Sequence, residues 1–211
     1  MSRSVYSVIL SDGLVRELDA AAYKKGVSRS TMLEKILSEY LTVETPSTRM
    51  ESTFSMMQRL IDEWSGLRFI NQPSASMAQV LSALVYRYNP TVKYLLELFP
   101  SGSDLGIVKV SLRTQNAALI DLMTDFYDFF CGLESEFLGE RDHGYEGGKF
   151  VRVLKRRREF SAGEEGEAIA FFIKSFNYLL NEYFSGLDDP DATKRALAKK
   201  YGRVICKNIK V

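Results

Sequence analysis

The sequence predicts a mainly α chain with minor β. An N-terminal strand–helix–helix head, complete only as a dimer, precedes a larger, predominantly helical C-terminal domain. Three observations predict this. Residues 5–41 run from a short alternating segment into two stretches of helical period. The stretch Thr42 to Thr48 then has threonines, a serine and a proline but no apolar period. Beyond it, apolar residues recur mostly at three- and four-residue spacing.

The first element is a strand over Val5–Leu10. Tyr6, Val8 and Leu10 share one of its faces, and Val5, Ser7 and Ile9 share the other. Ser11 is placed to cap a helix that has Asp12 beside its positive end, carries Leu14, Leu18 and Ala21, and stops at Gly26. Ser28 caps a second helix with an apolar stripe of Met32, Leu33, Ile36, Leu37, Tyr40 and Leu41. One strand and two short helices leave that stripe uncovered and both strand edges unpaired. A two-fold dimer, with two copies of the strand paired antiparallel over four helices, is the economical solution.

On these residues the stretch resembles the ribbon-helix-helix family, the fold of the Arc and CopG repressors. The resemblance covers residues 3–42 only. It rests on the strand ending Ile9-Leu10-Ser11-Asp12, the turn Gly26-Val27-Ser28-Arg29-Ser30, and the apolar spacing between them. It implies that the paired strands enter the DNA major groove and that the second helix holds a phosphate at its N-terminus. Base contacts would then fall to Arg3, Val5, Ser7 and Ile9, and phosphate contacts to Ser28, Arg29 and Ser30. Family members usually show long polar residues on the ribbon face. Here Val5 and Ile9 are aliphatic and suit thymine methyls, which leaves Ser7 and Arg3 as the polar readers.

The implied domains are a head at 1–42, a linker at 43–49, and a helical domain with a few short strands at 50–211. The chain has 211 residues, 45% of them hydrophobic, enough for a sizeable core, and no apolar run long enough to span a membrane. The apolar stretch after Met1-Ser2-Arg3-Ser4 is too short for a signal peptide. Cys131 and Cys206 show no paired spacing, which suits idle thiols in a reducing cytoplasm.

A net charge of +1 excludes a generic polyanion binder, and the charge is segregated. Residues 116–147 hold eight acids against one base; residues 149–158 hold six bases and no acid. Residues 191–211 hold seven bases against Asp191, and the first 42 residues hold six bases against five acids. Lys155, Arg156, Arg157 and Arg158 are therefore a candidate secondary basic patch, with internal pairing to the 116–147 stretch as the competing reading.

In the C-terminal domain, helices are expected over Met50–Trp64, from Pro73-Ser74 through Tyr88, and over Val92–Phe99. A strand is expected over Ile107–Leu112, then a helix after Thr114 carrying Leu119 to Leu133. Residues 142–148 read as a loop and Phe150–Leu154 as a strand. A helix from about Ser161 carries Ile169 to Tyr183, and a last short helix opens at Asp189-Pro190. Val204-Ile205-Cys206 reads as a final strand or ordered tail.

Little catalytic chemistry is available. His143 is the single histidine, placed in the glycine-rich loop, where a surface role is the ordinary reading. Phosphate-loop and dinucleotide motifs are absent, and nothing resembles a metal-ligand set. Asp121, Asp125 and Asp128 read as a solvated helix face. No enzyme activity, cofactor or metal is expected.

The expected function is therefore a sequence-specific DNA-binding transcriptional regulator, a repressor type, cytoplasmic and acting as a dimer with its ribbon strand in the major groove. Expected partners are double-stranded DNA and further copies of the chain, as a homodimer or a higher even-numbered oligomer, with no membrane. The alternative is a dimerisation or antitoxin-like module whose C-terminal domain binds a protein partner.

Overall fold

The structure is a computed structural model that describes residues 5–71, 75–209 and 211. The chain divides into two compact units, Met1–Arg49 and Met50–Val211. Among the described residues there are six α-helices and one six-stranded antiparallel sheet.

The first unit holds two helices, α1 (Asp12–Lys25) and α2 (Arg29–Leu41), and the opening of a third, α3 (Pro46–Asp62). Gly26 ends α1 in the left-handed conformation at φ 65°, where its amide and that of Val27 return to carbonyls of the last turn. Ser28 caps α2, its hydroxyl accepting from the Thr31 amide at 3.2 Å. Ser11 occupies the corresponding position before α1 but makes no side-chain capping bond. Pro46–Arg49, expected as linker, form the first turn of α3, held by reciprocal hydrogen bonds between Thr45 and Thr48.

The expected N-terminal ribbon is not present. Residues 5–10 form no strand, and helices precede the sheet. A single strand with no neighbour leaves all its amides and carbonyls unpaired, so an isolated copy gains nothing from becoming one. The ribbon-helix-helix head is thus corrected to a pair of helices preceded by irregular backbone.

The second unit is also not predominantly helical. Its sheet comprises β1 (Leu67–Asn71), β2 (Met77–Ala83), β3 (Thr91–Leu98), β4 (Asp104–Leu112), β5 (His143–Glu146) and β6 (Lys149–Lys155), in the order β1-β2-β3-β4-β6-β5. The helix expected from Pro73-Ser74 to Tyr88 is corrected to β2 and the turn after it; Pro73 and Ser74 themselves lie outside the described residues. The helix expected over Val92–Phe99 is corrected to β3. The misreading has a physical cause. The inner face of β3 carries Val92, Tyr94, Leu96 and Leu98, while Leu95 adds an apolar residue on the other face. The resulting run fits a 3.6-residue period as well as a period of two.

The inner sheet face is covered by α4 (Ala117–Leu138) and α5 (Ala162–Ser185), with α6 (Pro190–Lys200) following α5. Asn116 caps α4, and Ser161 forms a capping box with Glu164 on α5. Between helices and sheet lies an aromatic core. Phe176 packs edge-on to Phe130 with ring centres 4.7 Å apart, and it also meets Phe126 at 5.4 Å, Phe150 at 5.2 Å and Tyr94 at 6.0 Å. Two polar groups of α5 satisfy the sheet beneath it. Asn177 accepts from Ser82 at 2.7 Å and from Tyr94 at 3.0 Å, and Asn181 accepts from the Val85 amide at 2.7 Å. Val204-Ile205-Cys206, expected as a final strand or an ordered tail, form no strand and belong to a wide helical turn, Tyr201–Ile205, and the short 3-10 turn after it.

Candidate functional site

The residues expected to meet DNA lie in the first unit, apart from Arg3, which falls outside the described residues. Val5 and Ile9 are fully exposed, and Ser7 is exposed between them. The three sit on irregular backbone, so no sheet pleat holds them on a common face. Ser28 is engaged as the α2 cap and also shares a hydrogen bond with the Thr31 hydroxyl at 2.8 Å. Ser30 is exposed in the first turn of α2.

Arg29 is not free. Its Nε and Nη2 donate to the two carboxylate oxygens of Asp19 on α1, each at 2.6 Å. This fork-to-fork geometry is the one a guanidinium also offers a phosphate. The hydrogen bonds from Arg29 hold the Asp19 carboxyl below its ordinary range, and the same bonds raise the Arg29 guanidinium above its own. Asp19 thus occupies the group assigned to a phosphate.

The basic run in the second unit is largely committed to internal partners. Lys155 pairs with Asp104 at 2.9 Å and with Asp142 at 4.0 Å. Arg156 donates to the Phe99 carbonyl at 2.7 Å and lies 3.5 Å from the buried Glu165. Arg157 lies 4.0 Å from Glu159 and over the ring of Phe160. Arg158 is exposed. Of these partners only Asp142 belongs to the acidic 116–147 stretch.

A group that sequence reading did not find lies deeper. Arg152 on β6 and Glu134 on α4 are both fully buried, and Arg152 Nε donates to Glu134 Oε2 at 2.9 Å. The guanidinium also donates to the Val211 carbonyl at 2.7 Å and stacks over Phe172 at 4.6 Å. His143 is corrected from a loop to β5, the edge strand paired with β6 through a turn at Gly147-Gly148. Its side chain is only 12% exposed, with Nδ1 3.8 Å from Glu134 Oε2. Glu134 Oε1, His143 Nδ1, Arg152 Nη1 and the Tyr201 hydroxyl are buried without a hydrogen-bond partner. Burial, followed by the Glu134 charge, drives the Tyr201 phenol upward, and burial first pushes the Cys131 thiol up to about 12. Neither group ionises readily at neutral pH. The arrangement is a buried salt bridge that ties α4 to β6 while leaving one oxygen of Glu134 and one nitrogen of Arg152 without a partner. Its one sequence signal was a base, Arg152, at an inward position of an otherwise apolar strand.

Among the described residues, no group of three or more His, Cys, Asp or Glu side chains is placed to hold a metal ion. Among them too, no helix is long and apolar enough to cross a membrane. Comparison with known proteins finds no matching family model, no matching curated protein and no matching solved structure.

Proposed function

We propose that the chain is a sequence-specific DNA-binding regulator that acts as a dimer through its N-terminal unit. The observation that carries the reading is the outward set of apolar side chains there. Val5, Val8, Ile9, Ile36, Leu37 and Leu41 are all exposed, Ile9 completely, while α1 and α2 bury only Leu18, Ala22 and Ser38. That is too little apolar burial for two helices to stand alone, and a second copy supplies the same surface in return. The resemblance of Val5–Leu41 to dimeric DNA-binding repressors supports the choice of DNA as ligand. On this reading the segment Val5–Leu10 is the base-reading part, with Ser7 and Arg3 as its polar readers. Ser28, Arg29 and Ser30 are the phosphate contacts. The free thiols Cys131 and Cys206 agree with a cytoplasmic setting.

Enrichment of bound fragments from a genomic DNA pool tests the reading and finds the site at once. A recurring short sequence, with a preference altered by Ser7→Ala, is the expected outcome; the absence of enrichment over input rejects it.

A second reading is a dimerisation or antitoxin-like module that uses its second unit to bind a protein partner. Two observations favour it: the Asp19–Arg29 pair, which already occupies a phosphate contact, and the aliphatic Val5 and Ile9 where polar readers are usual. A salt-dependent gel shift with duplex DNA speaks against this reading.

A further inference from the structure

The sheet of the second unit has one face buried under helices and one facing outward. The register brings Arg68, Leu81, Lys93, Ser111, Lys149 and Glu146 into a single row across all six strands of the outward face. Their strand neighbours Phe69, Val80, Val92, Val110 and Phe150 point inward and are buried. Neighbouring strands are about 4.8 Å apart, so Arg68, Lys93 and Lys149, on alternate strands, stand about 10 Å from one another.

The other cations of this face are neutralised. Lys109 is paired with Glu97 at 3.5 Å, and Lys155 with Asp104. Among the described residues, Arg68, Lys93 and Lys149 have no ion-pair partner; Glu146 lies opposite Lys149 in the register without bonding it. Beside Arg68 and Leu81 the surface opens into a shallow depression of about 330 Å³ that is also lined by Gly66, Ala83 and Thr91. The outward positions of the six strands carry no aromatic side chain, so the face has no platform on which unpaired bases stack.

We infer that this face contacts the phosphate backbone of duplex DNA through Arg68, Lys93 and Lys149, independently of sequence. The inference deepens the proposed function and rests on it for the choice of duplex. A near-neutral first unit needs added phosphate contacts to hold a site at physiological salt, and the 155–158 run is largely tied up internally. Cations spread across a broad sheet face, which cannot enter a groove as a helix or a two-stranded ribbon does, suit positioning rather than sequence readout.

The test uses the full chain with Arg68→Gln, Lys93→Gln and Lys149→Gln together. Binding to the enriched duplex and to unrelated duplex is measured as a function of salt. Losing three phosphate contacts reduces the slope of log affinity against log salt by about 2.7. It also weakens binding about five-hundredfold at 0.1 M salt, with the sequence preference unchanged. A variant changing only Arg68 and Lys93 removes about 1.8 from the slope and serves if the triple variant fails to fold.

An unchanged slope in a folded variant that still prefers its site overturns the inference alone. If the chain shows no sequence preference but its duplex binding collapses in the variant, the sheet contact stands and the sequence-specific reading falls. No duplex binding by the unaltered chain overturns both.

Discussion

Arg152 and Glu134 show how much one buried pair determines at the scale of a residue. Each side chain has 0% exposure, so removing either partner strands the other's charge away from water. Arg152→Leu or Glu134→Leu alone is expected to cost about 3–5 kcal/mol, whereas the double replacement falls well short of the sum. Urea unfolding of the two single variants and the double variant measures this directly; strictly additive losses would show that the two charges do not depend on each other. Asp19 is the opposite case, an exposed carboxylate whose partner is geometrically ideal. Its value is lowered in the folded chain by the hydrogen bonds from Arg29, so the pair's contribution is complete above the unfolded carboxylate value. That contribution disappears as pH falls through the lowered folded value. The Asp19 carboxyl carbon should therefore titrate at lower pH in the native chain than in an Arg29→Gln variant, as followed by NMR. Equal midpoints would mean that the fork is not formed in solution.

Two glycines separate backbone propensity from packing at the scale of an element. Gly132 lies on α4 with nothing within 4 Å of a Cβ placed there. Gly166 lies on α5 where such a Cβ would come 2.4 Å from the Thr53 carbonyl oxygen and 2.9 Å from Met56 Cβ, both on α3. Alanine lowers the entropy of the unfolded chain equally at both positions. Gly132→Ala should thus stabilise by about 0.5–1 kcal/mol. Gly166→Ala should destabilise by about 1–3 kcal/mol, because α3 must move off α5 to admit the methyl group. Thermal unfolding of the two variants gives the comparison, and a gain at Gly166 would mean that the two helices are less closely packed than described. The helix beginnings at Ser28 and Ser161 were legible in the sequence, because a cap is a local hydrogen bond between a side chain and an amide three residues on. Strands β2 and β3 were not. Which neighbour satisfies a strand's backbone is settled by pairing between residues far apart, such as Val80 with Tyr94.

At the scale of the whole molecule, a compact α+β unit follows a small helical unit that displays its apolar side chains. The proposed dimerisation through the first unit predicts a thermal stability that depends on protein concentration. Sedimentation of the full chain should give a dimer, and Leu37→Glu should give a monomer that keeps the far-ultraviolet signature of the second unit. A monomeric native chain at micromolar concentration would leave the exposed set at Ile36, Leu37 and Leu41 without its proposed partner. Charge segregation belongs to this scale as well. Sequence reading located the basic run at 155–158 and left it between a phosphate-contacting patch and internal pairing with the 116–147 stretch. The fold pairs Lys155 with Asp104 on β4 and, more distantly, with Asp142, and it gives Arg156 to the Phe99 carbonyl just after β3 and to Glu165 on α5.

The sequence by itself determined the local features: the turn at Gly26, the cap at Ser28, the start of α5 at about Ser161, the helical periods of α1, α2, α4 and α5, and the strand segments in β4 and β6. Each depends on residues a few positions apart, within reach of one hydrogen bond or one helical turn. Only the tertiary structure decided which apolar runs became strands, where His143 sits, and which charges are buried as a pair. It also decided which three cations of one row have no ion-pair partner among the described residues. Those properties arise from sheet register and helix packing between segments tens of residues apart, and a single sequence carries no local signal of such contacts.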